Sequence, residues 1–150
     1  MATRGIYIFE DAHDEVAVYK HWDNYPRAAA RFIEAAKAHA WKLPRFEADE
    51  FGAAFVAANK CQEGGGIRLI PPYKDRQELM EEMSFCDYCY VVGFTDSLMV
   101  QIYTKVYCAE FGSRWVESEA EALDDMLSRE REIEDDWFLS DKSYEEYYSE

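Results

Sequence analysis

The stretch from Tyr88 to Val106 constrains this chain more than any other. Tyr88, Tyr90, Val92 and Phe94 alternate with Cys89, Val91 and Gly93. Thr95-Asp96-Ser97 breaks the run, and Leu98, Val100, Ile102, Thr104 and Val106 resume it. Residues two apart share one face of a strand, so a period of two on both sides of a short turn predicts a half-buried hairpin. A second such pair opens the chain. Tyr7 and Phe9 alternate with Ile6 and Ile8, Asp11-Ala12-His13-Asp14 is turn material, and from Glu15 to His21 Val16 and Val18 lie opposite Ala17 and Tyr19. An isolated hairpin is marginal in water, so these strands need a cover.

Helical spacing supplies it. Pro26 suits a first helical turn. Beyond it Ala29, Phe32, Ile33, Ala36 and Ala40 recur on one face, with Arg31, Glu34 and Lys37 on the other, to near Trp41 and before Pro44. A second helix is expected from about Ala48 to Lys60, burying Phe51, Ala54, Phe55 and Ala58. Gly64-Gly65-Gly66 ends it and lacks the following Gly-Lys-Ser/Thr of a phosphate loop. Ile67 to Ile70 reads as a short strand stopped by Pro71-Pro72, and Asp75 to Met83 as one or two helical turns. Without a regular β-α-β alternation, the expected class is α+β. The expected architecture is one domain over 1–150: an antiparallel sheet of two hairpins, two to three helices, and an acidic C-terminal helix and tail.

Charge narrows the function classes. The chain carries 31 acidic and 16 basic residues, a net −15. A field of that sign repels nucleic acid and membrane phosphates and attracts basic protein surfaces. Met1 to Arg4 leads into a strand with no apolar signal region, and no window approaches the roughly 18 apolar residues of a membrane span. A cytoplasmic protein is expected, in the host cytoplasm if phage-encoded. The cysteines at 61, 86, 89 and 108 then read as reduced thiols. Cys86-Asp87-Tyr88-Cys89 has the spacing of a zinc knuckle or a redox pair. On a continuous strand, however, Cys86 and Cys89 face opposite sides, so packed thiols are expected and no metal or cofactor.

"VAVYKHWDNYP" (16–26) is where the first hairpin stops. His21 and Asp23 would share a strand face, and a histidine beside a carboxylate is able to act as a general base. That reading also needs a nucleophile or metal, and local spacing places none. The structural alternative is a strand end in which His21 bonds backbone, Trp22 packs and Asp23-Asn24 begin a turn. This stretch, preceded by "TRGIYIF", resembles the N-terminal signature of small bacterial and phage proteins with the pattern Tyr-x-His-x-Asp-Gly-Tyr-Pro. Tyr19, His21, Asp23, Tyr25 and Pro26 match, and Asn24 stands where the pattern has glycine. The resemblance implies a phage or mobile-element source, with no established activity to transfer. Asn24 is expected to tolerate the positive φ of such a turn.

The final third differs in charge. Residues 110–150 hold 15 acidic and 4 basic side chains, a net −11, against 16 and 12, a net −4, over 1–109. Val116, Ala120, Leu123 and Leu127 predict a helix there, with Glu117, Glu121, Asp124 and Asp125 outward, followed by Glu132, Asp135, Asp136, Trp137 and Phe138. Such carboxylates are able to fill the Lys/Arg sites a phosphate backbone would occupy, with aromatics anchoring the interface. The expected function is an anti-CRISPR-like inhibitor of a host defence complex, acting by nucleic-acid mimicry on a basic, nucleic-acid-binding protein. The alternatives are an interaction module using the sheet and the His21–Tyr25 turn, or a small hydrolase or nucleotide-signal-binding protein built around His21 and Asp23.

Overall fold

The computed structural model describes residues 2–60, 66–110 and 112–129. The first hairpin pairs β1 (Gly5–Glu10) with β2 (Glu15–Lys20), setting Phe9 opposite Val16 and Tyr7 opposite Val18. Asp11 makes its turn. One carboxylate oxygen accepts the His13 and Asp14 N–H groups at 2.7 and 2.8 Å, and the other accepts the N–H of Ala48 at 2.8 Å. Two helices follow, α1 (Pro26–His39), with Pro26 in its first turn, and α2 (Ala48–Asn59), whose first N–H is the one Asp11 caps.

The chain continues through β3 (Ile67–Leu69) and α3 (Arg76–Glu82) into the second hairpin, β4 (Tyr88–Phe94) and β5 (Leu98–Cys108). Then come β6 (Gly112–Glu117), the two-residue β7 (Glu121–Ala122) and a helix over 123–129. The strands form one sheet in the order β3-β2-β1-β4-β5-β6, with β7 also on β5.

The fold is α+β, as the residue pattern predicts, but the sheet is mixed. Both hairpins are antiparallel, whereas β1 and β4 meet in parallel, Tyr7 beside Tyr90 and Phe9 beside Val92. Alternation fixes which side chains face which way within a hairpin; it carries no information about which strands of two hairpins touch. The observed docking puts β1 in the interior of the sheet, where Ile6, Tyr7, Ile8 and Phe9 are all fully buried.

Each face has its own core. Tyr7, Phe9, Val18, Tyr90 and Val92 pack against Ile33, Phe51 and Phe55 of α1 and α2 and against Leu123 and Met126 of the C-terminal helix. Ile6, Ile8, Ala17, Cys89 and Val91 pack on the other face with Leu79 and Met80 of α3. Among the described residues no helix is long and apolar enough to cross a membrane.

The stretch around Val116 departs from expectation. It is a strand, with the helix starting only at 123, so Val116, Ala120, Leu123 and Leu127 do not form one stripe. β5 is eleven residues long, and its far end needs a hydrogen-bonding partner beyond β4. Ser113 to Glu117 provides it, pairing with Tyr103 to Tyr107. Leu123 and Leu127 are buried as expected, while Val116 and Ala120 are exposed.

Candidate functional site

The corner at 21–26 is held by Asn24. Its side chain is fully buried; Oδ1 accepts the Tyr7 hydroxyl at 2.7 Å, and Nδ2 donates to the carbonyls of Thr3 and Lys20, each at 2.8 Å. The Tyr90 hydroxyl donates to the Asn24 carbonyl. Gly5 makes room for this side chain, since a Cβ there would stand 2.7 Å from the Asn24 Cβ. The left-handed backbone falls on Asp23 (φ +60°), not on Asn24 as the glycine-bearing pattern implies. Tyr25 and Pro26 then cap and begin α1.

Other expectations about the corner are corrected. β2 ends at Lys20, so His21 and Asp23 do not share a strand face, and Asp23 is exposed. The His21 ring bonds a side chain rather than backbone, with Nδ1 2.7 Å from the Tyr19 hydroxyl. Trp22 does not pack into a core. It is 44% exposed and meets the His21 ring edge-on at 4.3 Å between centroids.

Tyr19, His21 and Trp22 instead form one wall of a groove of about 940 Å³. Arg68 on β3, Arg4 just before β1, Lys74, and Glu78 and Phe85 on and beyond α3 also line it. Phe85 is 48% exposed and sits beneath the Arg4 guanidinium, 5.6 Å from ring centre to Cζ. Burial raises the Tyr19 hydroxyl above its usual range, as does the nearby Cys86, while Arg4 and Arg68 pull the other way. The α3 wall is anchored: Arg76 bridges Glu10 and Glu15 at 2.5 Å each, and the Tyr73 hydroxyl donates to Glu15 at 2.7 Å.

The cysteines are placed otherwise than a continuous strand would place them. Cys86 precedes β4, and both Cys86 and Cys89 enter the core shared with α3. Both are fully buried, and burial, helped by Asp87, pushes the Cys86 thiol up to about 12, while burial also raises Cys89. These are packed thiols, poorly disposed to form thiolate. Cys108 is half-buried at the end of β5, and Cys61 lies outside the described residues. Among the described residues no group of three or more His, Cys, Asp and Glu side chains is placed to hold a metal ion.

At the opposite end of the sheet the acidic candidates separate. Glu117 is exposed on β6, and Asp124 and Asp125 are exposed at the start of the C-terminal helix. Glu121, on β7, is held by Arg129 through contacts of 2.6 and 2.8 Å. These four carboxylates therefore do not lie on one helix, which the residue pattern predicts, but on β6, β7 and the helix after it. Glu119, exposed between β6 and β7, joins the group although the sequence reading passed over it. Ser118 pins this edge, accepting the Ile102 N–H at 3.0 Å through its hydroxyl and donating its own N–H to the Ile102 carbonyl at 2.8 Å. Glu132, Asp135, Asp136, Trp137 and Phe138 lie outside the described residues.

No protein-family model, curated protein or solved structure matches this chain. The residues themselves must carry the functional reading. Those that sequence reasoning missed are Arg4, Arg68, Glu78 and Phe85, which come from separate segments and meet only in the fold. A signal was present in retrospect: Arg4 and Arg68 are cations beside apolar runs in a chain with twice as many acids as bases.

Proposed function

We propose that this chain is a binding protein that presents the acidic edge of its sheet to a basic, nucleic-acid-binding surface of another protein, in place of a phosphate backbone. In the setting its N-terminal resemblance implies, the target is a host defence complex and the chain is a phage or mobile-element inhibitor. One observation carries the reading. Glu117, Glu119, Asp124 and Asp125 are all exposed along 117–125, the first two on an edge that Ser118 pins to Ile102 and the last two at the start of the helix that follows. Solvent-facing carboxylates on a hydrogen-bonded scaffold retain their charge and lose little entropy when they meet Lys or Arg. In the sequence the segment from 110 onward carries net −11 of the total −15, a bias that suits attraction to a basic surface.

Reversing Glu117, Glu119, Asp124 and Asp125 together to lysine tests it. The variant should keep its melting temperature to within a few degrees, because exposed carboxylates contribute little individually. It should lose association with a target captured from the host, and wild-type binding should weaken steeply as salt shortens the screening length to about 8 Å at physiological strength. Bound target should release its nucleic acid. Binding unaffected by the four reversals would overturn the proposal.

A further inference from the structure

The groove at the other end of the sheet has a different chemistry. Arg4, Arg68 and Lys74 line it, yet among the described residues none of the three forms an ion pair with a carboxylate. Two atoms of its lining are buried without a hydrogen-bond partner: Arg4 Nε, a donor, and Glu78 Oε2, an acceptor. Buried polar atoms normally find partners, and leaving one unmade is costly. Trp22 and Phe85 add half-exposed aromatic faces to the same cavity. Its volume falls within the usual range for small-molecule sites, roughly 300–1,000 Å³.

We infer that this groove binds a nucleoside phosphate. The requirements come from different walls and fit one ligand class together. Unpaired cations beside β1 and β3 call for an anionic group, with Arg68 and Arg4 donating to phosphate oxygens. His21 stands on the same wall, with Nδ1 held 2.7 Å from the Tyr19 hydroxyl, which leaves Nε2 as its ring nitrogen for the ligand. The aromatic faces call for a planar ring that stacks. Glu78, on the α3 wall, calls for a donor, which a ribose hydroxyl or a base amino group supplies. A bare phosphate satisfies only the first requirement, and an uncharged nucleoside only the last two. The site is separate from the acidic edge and stands or falls independently of the inhibitor reading.

The test is titration of the full chain with ATP, GTP, the two nucleosides and inorganic phosphate, followed by calorimetry and by Trp fluorescence. A saturable site is expected for at least one nucleotide, with the matching nucleoside and phosphate each weaker. Arg68→Ala should weaken the nucleotide about tenfold or more, since a charge-assisted bond is lost. Arg68 is exposed on an edge strand, so its melting temperature should be unchanged. Trp22→Ala should weaken nucleotide and nucleoside alike, whereas Glu117→Lys should change neither. Absence of saturable nucleotide binding would overturn the inference. So would equal binding by Arg68→Ala and wild type, or inorganic phosphate binding as tightly as the nucleotide.

Discussion

The two ends of the sheet make opposite use of their charges. At the β3 end, Arg4, Arg68 and Lys74 line a cavity with aromatic walls, and among the described residues none of the three pairs with a carboxylate side chain. At the β6 end, Glu117 and Glu119 are exposed on and just beyond the edge strand and Asp124 and Asp125 at the start of the C-terminal helix. Among the described residues Arg129 pairs with Glu121 of this group alone. The cations line a concavity, where partial desolvation strengthens each interaction; the carboxylates are solvent-exposed, where reach and field matter more than contact. Net charge, taken for the whole chain, hides this polarity. A chain of −15 still keeps a local cationic site, because the sheet separates the two groups.

The comparison breaks most sharply on stability. Asn24→Ala should cost about 3 kcal/mol or more, because it strands the Tyr7 hydroxyl and the Thr3 and Lys20 carbonyls in a buried site, at about 1–3 kcal/mol each for the worst placed. Asp124→Ala, at the other end, should fall within about 0.5 kcal/mol of wild type. Chemical denaturation of both variants measures the contrast. Equal, small effects would mean that Asn24 does not hold the corner.

Next in size is the contrast between Trp22 and Phe55. Phe55→Ala empties a fully buried site against Tyr7 and Phe9 and should cost about 3–5 kcal/mol. Trp22→Ala, 44% exposed at the groove, should cost well under half as much. A large loss at Trp22 would make it a packing residue and weaken its reading as a stacking surface.

A third measurement follows the thiols. Cys86 and Cys89 should resist alkylation in the native protein and react on unfolding, whereas Cys108, half-buried, should react first among these three. Peptide mapping after timed labelling reads this directly. Native labelling of Cys89 would show that the α3 wall opens.

The smallest effect is a pH dependence. Backbone N–H groups of Ala48, then His13 and Asp14, hold the Asp11 carboxyl below its ordinary range. A carboxyl more acidic in the folded than in the unfolded chain adds stability that is complete above about pH 3.9 and lost as pH falls through the native value. The gap in melting temperature between wild type and Asp11→Ala should therefore be constant near neutrality and narrow in acid. A gap that widens in acid would contradict the cap.

How much of this was legible in the sequence differs between fold and site, for a physical reason. Hairpin faces follow from a period of two, and Tyr7, Phe9, Val18 and Val92 lie on the face that alternation assigns them. α2 begins at Ala48 as its apolar spacing predicts. The β1–β4 contact was not legible, since parallel and antiparallel docking of two hairpins leave each strand's pattern unchanged. Nor was β6: Gly112–Glu117 sets Trp115 beside Val116 and so shows no period of two, while Val116 also fits helical spacing with Ala120, Leu123 and Leu127. The groove was legible only in its Tyr19–His21–Trp22 wall. Its other walls come from residues 4, 68, 78 and 85, and no local spacing relates them.

The parallel β1–β4 junction also sets a schedule. Gly5 to Phe9 of β1 each wait for a partner 83 positions further along the chain, Gly5 for Tyr88 and Phe9 for Val92. At a synthesis rate of about 5–20 residues per second the wait is roughly 4–17 seconds. Throughout that interval the first hairpin has one long, apolar, unpaired edge, the feature on which strands of different chains join. Slower translation between α2 and β4 should therefore lower the yield of soluble chain, and a factor that shields strand edges near the ribosome should restore it.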